Sequence, residues 1–195
     1  MFTKTILTES PKHFQIGGFR IIAQSNNIPI KESVIIPDSF MAFEKSFSSS
    51  ADFCFTIDYT AQIPRGKEIF RADNFMRNAI FEIDENTWEW TWFKQNGDIG
   101  LDFCISKDFS NILLTKNDSF PGNLMKELGF IFAYALLSRN ACALHGIIME
   151  YKNRGILILA RSGMGKSTHS RMWRDEENAL IINGDRCLCR KIDET

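Results

Sequence analysis

The sequence predicts an α/β protein, with a β-rich N-terminal region followed by a partial core built around a phosphate-binding loop. Two observations lead to this prediction. Up to about residue 116, apolar residues mostly alternate with polar ones, which is the period of a half-buried strand. Beyond residue 118, helix-like and strand-like segments alternate, and one strand-like run enters a glycine-rich loop ending in Gly-Lys-Ser. We therefore expect two regions, residues 1–118 and residues 119–195.

Short alternating runs predict the strands of the N-terminal region. The apolar positions of the first runs are Phe14, Ile16, Phe19, Ile21, Phe53, Phe55, Ile57 and Tyr59. A later run holds Trp88, Trp90 and Trp92, and Asn96-Gly97 separates it from another strand-like run. Because Asn-Gly supplies the positive φ angles of a tight turn, this part predicts a hairpin.

The three tryptophans admit two interpretations. Their shared strand face could stack on bases or sugars, or it could pack inside the protein. We favour packing, because no basic residue is interleaved with the tryptophans to hold a phosphate.

A helix is predicted to link the two regions. The turn-forming stretch Ser119–Gly122 precedes a segment, residues 123–139, that is apolar nearly all round. Its expected buried residues are Leu124, Leu128, Ile131, Ala135 and Leu136.

The chemistry-bearing motif follows two strand-like runs, Leu144–Tyr151 and Gly155–Ala160. The second run enters a loop whose candidate nucleotide-binding residues are Ser162, Gly163, Met164, Gly165, Lys166, Ser167 and Thr168. Glycines let backbone N–H groups turn inward around a phosphate, and the following helix adds its positive N-terminal end. The lysine supplies a mobile charge for the β- and γ-phosphates, and the serine hydroxyl can bind Mg²⁺. Ala160 stands where the usual pattern opens with Gly.

A second acidic candidate lies downstream of the loop. The buried-strand run from Ala179 ends in Asn183-Gly184-Asp185. A carboxylate at a strand tip beside a phosphate loop can bind Mg²⁺ or accept a proton from an attacking hydroxyl. The alternative is an ordinary Asn-Gly-Asp turn, and we favour the functional interpretation because the loop is nearby. His145, on spacing alone, is more typical of a packed or capping histidine.

These ordered motifs resemble the kinase core of HPr kinase/phosphorylase, and most of all the HPr serine kinase-related proteins. The resemblance spans about residues 143–191. Its motifs are Leu144-His145-Gly146, Gly155–Leu159, Ser162–Ser167 with the Thr168-His169 continuation, Arg171-Met172-Trp173, Leu180-Ile181 and Asp185-Arg186.

The resemblance implies a P-loop fold akin to phosphoenolpyruvate carboxykinase, with ATP and Mg²⁺ bound at Gly163–Thr168. It also implies that His145 lies near the γ-phosphate and that Asp185 binds the metal or activates the acceptor hydroxyl. The family carries adjacent aspartates at the strand tip, where this chain has Gly184-Asp185. The family's core also continues beyond that strand, so we expect this chain to hold only part of it.

The function expected from these features is ATP- and Mg²⁺-dependent phosphoryl transfer to an unknown hydroxyl acceptor, either a small molecule or a protein. The expected catalytic residues are His145, Lys166 and Asp185, and the expected metal ligands are Ser167 and Asp185. Two alternatives stay open: a nucleotide-binding module without catalysis, and an interaction protein with a vestigial loop.

Length, charge and composition argue against several other classes of protein, namely nucleic-acid-binding, membrane-bound and secreted ones. The 195 residues carry 23 Lys and Arg against 24 Asp and Glu, a net charge of −1. Balanced charge gives no electrostatic reason to expect nucleic acid or an anionic membrane as a partner. Five scattered cysteines are typical of reduced thiols. Because no signal-peptide core is legible and the longest apolar stretch is shorter than the roughly 20 residues of a spanning helix, we expect a cytoplasmic protein.

Overall fold

The computed structural model describes residues 5–6, 10–26, 35–36, 38–73, 77–118 and 124–192. Contacts divide the chain into two compact units, Met1–Ala135 and Leu136–Thr195. The sequence prediction placed a boundary near residue 118, before the linking helix, whereas the contacts place most of that helix in the first unit. The predicted turn Ser119–Gly122 lies outside the described residues.

The first unit is built on a sheet of eight described strands, in the order β2-β3-β5-β10-β9-β8-β7-β6. The strands of this unit are β1 (Thr5–Ile6), β2 (Lys12–Ile16), β3 (Phe19–Ser25), β4 (Ile35–Ile36), β5 (Phe53–Ile57), β6 (Lys67–Ala72), β7 (Asn78–Glu82), β8 (Thr87–Phe93), β9 (Ile99–Ser106) and β10 (Asn111–Asn117). Neighbours β3, β5 and β10 are parallel, the other neighbours in the sheet are antiparallel, and β1 pairs with β4 separately. The described helices are α1 (Asp38–Met41) and α2 (Leu124–Leu137).

One face of the sheet packs against α2. Phe132 of the helix meets the rings of Phe53 and Phe55 edge-on, with centroids 5.6 and 6.1 Å away. Tyr134 meets Trp90 in the same way at 4.7 Å. The helix residues Ile131, Ala135 and Leu136 are buried, as the sequence predicted, and Leu124 and Leu128 have side chains outside the described set. None of the described helices has the length and apolarity needed to cross a membrane.

The predicted hairpin is confirmed. Strands β8 and β9 pair antiparallel, and Gly97 in their connection has φ of 91°. Trp90 and Trp92 are buried and stack on each other with ring centroids 4.6 Å apart. Trp90 and Trp92 therefore pack inside the protein, as the interpretation that the sequence favoured predicts, and Trp88 is half-buried.

The opposite face of the sheet buries polar side chains. Glu89 and Thr91 alternate with the tryptophans along β8, so the sequence suggests that they face solvent, yet both are buried. Arg65, in the crossover from β5 to β6, covers this face: it donates to Glu89 at 2.6 Å and lies 4.3 Å from the Phe81 ring centroid. The crossover accounts for the burial of the second face of β8.

The second unit contains two small ladders and one described helix of its own, α3 (Lys166–Glu177). The first ladder pairs β11 (Ala141–His145) with β15 (Arg186–Arg190), antiparallel. The second places β12 (Ile147–Tyr151) between β13 (Arg154–Ile158) and β14 (Leu180–Asn183). Both neighbours of β12 run antiparallel to it.

The predicted α/β fold with a partial P-loop, HPr kinase or PEP carboxykinase-like core is wrong. The described chain is mostly β, with a large mixed sheet and few helices. In the second unit β11 pairs with β15, and β12 lies between β13 and β14. All these pairings are antiparallel, so these strands do not form the mostly parallel sheet of an α/β fold. The sequence predicted the local order of strand, loop and helix. It did not predict these pairings, because they join segments about 40 residues apart.

Candidate functional site

Strand topology brings the predicted site residues to one edge of the second unit. Strands β13 and β14 flank β12 and run opposite to it, so their C-terminal ends emerge beside its N-terminal end. Register confirms this arrangement: Ile147 lies opposite Ile158, and Ile148 lies opposite Asn183. The loop after β13, the turn after β14 and the residues before β12 therefore meet.

The loop between β13 and α3 has the backbone geometry that its glycines predict. Gly163 and Gly165 have φ of 80° and 81°, in the left-handed region that side chains disfavour. Gly165 is the N-cap of α3, and its carbonyl accepts from the N–H groups of Thr168 and His169. Residues 161–165 are exposed, so this loop presents the positive end of a 12-residue helix to solvent.

Lys166 is oriented by the loop that precedes it. Its Nζ donates to the carbonyl oxygen of Ala160 at 2.7 Å and lies 3.3 Å from that of Arg161. The small Ala160 thus fills the opening position of the motif and also contributes a backbone contact. These contacts keep the ammonium group against the loop backbone, close to the N-terminus of α3.

His145 and Asp185 are in contact. The distance from His145 Nδ1 to Asp185 Oδ1 is 3.0 Å, and the backbone N–H of Gly146 donates to the Asp185 carbonyl at 2.9 Å. Their side chains are 61% and 75% exposed, so a ligand can reach both. Asp185 N–H donates to Asn183 Oδ1 at 2.9 Å, which shows that the Asn-Gly-Asp turn also forms.

This contact lies where the chain passes twice between the two ladders, and we call this place the double joint. Gly146 separates β11 from β12, and Gly184-Asp185 separates β14 from β15. The two joints are tied to each other by the side-chain and backbone contacts just described. The structure therefore places His145 where the first ladder ends and the second begins.

Gly146 allows the strands to approach closely at this joint. A Cβ atom there would lie 2.7 Å from Leu159 Cδ2 and 2.8 Å from the Ile158 carbonyl oxygen. Both distances are shorter than a side-chain contact permits. Glycine at this position thus keeps His145 beside the end of β13, from which the loop begins.

The donor set suits magnesium that arrives with a nucleotide. No group of three or more His, Cys, Asp or Glu side chains suited to a metal occurs among the described residues. Mg²⁺ usually keeps several waters and takes one or two carboxylates plus substrate phosphates, so such a group is not required. The Ser167 hydroxyl and the Asp185 carboxylate are oxygen ligands of the type that Mg²⁺ prefers.

No family model, curated protein or solved structure matches this chain. The resemblance to HPr kinase/phosphorylase rests on the quoted motifs of residues 143–191 and stays a prediction.

A second polar cluster escaped the sequence analysis. Thr91 Oγ1 donates to Asp102 Oδ1 at 2.7 Å and lies 3.4 Å from Glu89 Oε1, which Arg65 also contacts. Burial, and to a lesser extent the neighbouring Glu89 carboxylate, together raise the pKa of Asp102 to about 6, although the hydrogen bond from Thr91 lowers it. Among the described residues, Glu89 Oε2 has no hydrogen-bond partner. The signal in the sequence was weak, because acids that alternate with aromatic residues normally face water.

Proposed function

We propose that this protein binds Mg·ATP at the loop of residues 162–168 and transfers a phosphoryl group to a hydroxyl acceptor. The observation that carries the proposal is the meeting of this loop with a contacting histidine and aspartate at one strand edge. A helix N-terminus, a mobile ammonium group and an acid–base pair are the parts that phosphoryl transfer uses.

Lys166 and the N-terminus of α3 would neutralise the phosphates. The ammonium of Lys166 already lies against the loop, bound to carbonyl oxygens that a phosphate oxygen can replace as acceptor. The Ser167 hydroxyl and the Asp185 carboxylate would hold Mg²⁺, which supplies charge neutralisation between the phosphates when bound.

In this proposal His145 would accept the proton of the attacking hydroxyl. An ionised carboxylate can only accept hydrogen bonds, so in the neutral imidazole that this role requires, the contact with Asp185 favours the tautomer with its proton on Nδ1. The lone pair is then on Nε2, the other ring nitrogen, which is free to act as a base toward a ligand. This role compensates for Gly184, which stands where the resembling family has its first aspartate.

The alternative of nucleotide binding without catalysis makes a separate prediction. Gly184 removes one acid from the strand tip, so a protein of this kind would bind Mg·ATP and never turn it over. The two functions share the phosphate loop and differ only at His145 and Asp185. Variants at the loop and at the pair therefore test them separately.

Calorimetric titration of Mg·ATP into the wild type, Lys166→Ala and Lys152→Ala tests the phosphate site. Lys152 lies in the turn at the opposite end of β12 and β13, so its substitution removes the same charge away from the site. We expect about tenfold or greater loss of affinity in Lys166→Ala and no change in Lys152→Ala. Absence of binding to a folded wild type, checked by circular dichroism, would refute the proposal.

ADP release from ATP, in the presence of added hydroxyl compounds, tests catalysis. We expect His145→Ala to lower the rate about 100-fold or more while calorimetry still detects ATP binding. Binding without any ADP release in the wild type would favour the binding module.

A further inference from the structure

The second face of the eight-stranded sheet forms an open groove in the first unit. It spans five adjacent strands, from β3 to β8, and has a volume of about 430 Å³. Known small-molecule sites have volumes of roughly 300–1,000 Å³. Because Cys54 and Thr56 alternate with the α2-facing Phe53 and Phe55, the groove lies on the face away from that helix.

Two rows of side chains form the floor of this groove. Register places Gln24, Thr56, Leu113 and Cys104 side by side on four successive strands, with Glu89 next in the row. The second row joins Cys54 to Asn111 and Ser106 to Thr87, and Asn111 N–H bonds to the Ser106 hydroxyl.

The lining is uncharged or acidic. Among the described residues that line it are amides, hydroxyls and thiols beside the apolar Ile112 and Leu113, and within this described set Asp58 is the one charged side chain and no Lys or Arg occurs. Burial raises the pKa values of the Cys54 and Cys104 thiols, so both are neutral at physiological pH. The buried Glu89 carboxylate continues the row beside Cys104. An anion such as a phosphate would meet no positive side chain among the described lining residues and would lie near the acidic Asp58 and Glu89.

We propose that this groove binds a small, uncharged, hydroxyl-rich molecule, such as a monosaccharide or polyol. Amide side chains offer a donor and an acceptor in one plane, and serine and threonine hydroxyls offer both, so together they match a ligand whose hydroxyls also do both. Gln24 and Asn111 provide the amides, and Thr56, Thr87 and Ser106 provide the hydroxyls. The groove and the nucleotide site use different residues, so this proposal is independent of the proposed function.

The test is a titration of the full chain with D-glucose, D-ribose and myo-inositol as separate probes, followed by ¹⁵N NMR. The side-chain amide signals of Gln24 and Asn111 report on the groove directly. We expect at least one probe to shift both signals with a Kd of about 1 mM or tighter, and glucose 6-phosphate to bind more weakly than glucose.

Gln24→Leu and Gln95→Leu form a matched pair for this test. Gln95 is exposed beside the turn of the β8–β9 hairpin, away from the groove lining. We expect Gln24→Leu to weaken binding about tenfold and Gln95→Leu to leave it unchanged, with the Asn111 signal as the common reporter. The proposal is overturned if no neutral probe shifts these signals in folded protein, if the phosphorylated sugar binds as tightly, or if both variants bind alike.

Discussion

Two glycines of the second unit, Gly146 between β11 and β12 and Gly155 in β13, have very different surroundings. A Cβ at Gly146 would collide with Ile158 and Leu159, whereas a Cβ at Gly155 meets nothing within 4 Å. Neither glycine has a positive φ, so alanine is compatible with the backbone of both. The difference between them is therefore steric.

We expect Gly146→Ala to lower the free energy of unfolding by about 1–3 kcal/mol, because the strands must move apart to admit the methyl group. Gly155→Ala is the control, and it should be neutral or stabilise the fold by about 0.4–1 kcal/mol by restricting the unfolded chain. Urea denaturation of both variants, followed by circular dichroism, measures the difference. Equal stability of the two variants would contradict the close approach at Gly146.

Asp102 gives the first unit a pH-dependent stability. Its pKa in the folded protein, about 6, is higher than that of an ordinary aspartate, so the folded state binds the extra proton between these two values. The stability that this proton contributes is complete below the ordinary pKa and is lost as the pH rises through about 6. Ionisation then places a second negative charge near Glu89.

We expect the free energy of unfolding of the wild type to fall by about 1–2 kcal/mol more than that of Asp102→Asn between pH 4.5 and pH 7.5. Asparagine keeps the acceptor for Thr91 Oγ1 and cannot ionise. Urea denaturation at the two pH values checks this expectation. A variant whose pH profile parallels that of the wild type would place the titration elsewhere.

At the scale of the element, β8 shows how one strand can be buried on both faces. Its tryptophans face α2 on one side, and the Arg65 crossover covers Glu89 on the other. The first tryptophan of the strand, Trp88, is not equivalent to the central one, Trp90. Trp90 is 7% exposed between Trp92 and Tyr134, whereas Trp88 is half-buried near Lys107 and Phe109.

We expect Trp90→Ala to lower the free energy of unfolding by about 3–5 kcal/mol, because it leaves a cavity between the sheet and α2. Trp88→Ala should cost less, since its ring contacts solvent and its Nε1 has no described hydrogen-bond partner to lose. Circular dichroism during urea denaturation compares the variants without relying on tryptophan emission. Equal losses at both positions would contradict the packing described for β8.

For the whole molecule, local sequence signals predicted individual elements, whereas the pairing of distant strands was not predicted. Alternation predicted β2, β3 and β5, Asn-Gly predicted the hairpin, and Gly-Lys-Ser predicted the loop and the start of α3, because each signal is contained in about ten residues or fewer. The parallel neighbours β3, β5 and β10 were not legible, since partner choice depends on contacts between distant segments. The same limit hid the pairing of β11 with β15 and led to the wrong fold class.

The candidate site was predictable residue by residue and not as an arrangement. Sequence motifs named His145, Lys166 and Asp185, but the contact between His145 and Asp185 depends on the order of β13, β12 and β14. The Arg65–Glu89 contact was missed for a related reason. A crossover that folds onto a sheet face produces no periodic pattern of apolar residues from which its position could be predicted.

The two units should differ in their resistance to local opening. The large sheet has buried side chains in nearly every described strand, whereas Leu180 and Ile182 of β14 are 63% and 57% exposed. We expect backbone amides of β5, β9 and β10 to exchange with deuterium about tenfold or more slowly than those of β14, because opening the small ladder exposes less new apolar surface. Hydrogen exchange measured by NMR tests this order, and equal protection would contradict it.

Because His145 lies at the double joint of Gly146 and Asp185, its imidazole can report motion of the β11–β15 ladder relative to the three-stranded ladder. Any bend of the β11–β15 ribbon relative to the three-stranded ladder must stretch or turn the link between His145 and Asp185, because that link spans the pivot. In a neutral imidazole the Asp185 carboxylate favours the tautomer with its proton on Nδ1, so we expect a stretched link to weaken this preference. Imidazole ¹⁵N chemical shifts depend on the tautomer of His145. We therefore expect these shifts to change when added ligands bend the β11–β15 ribbon.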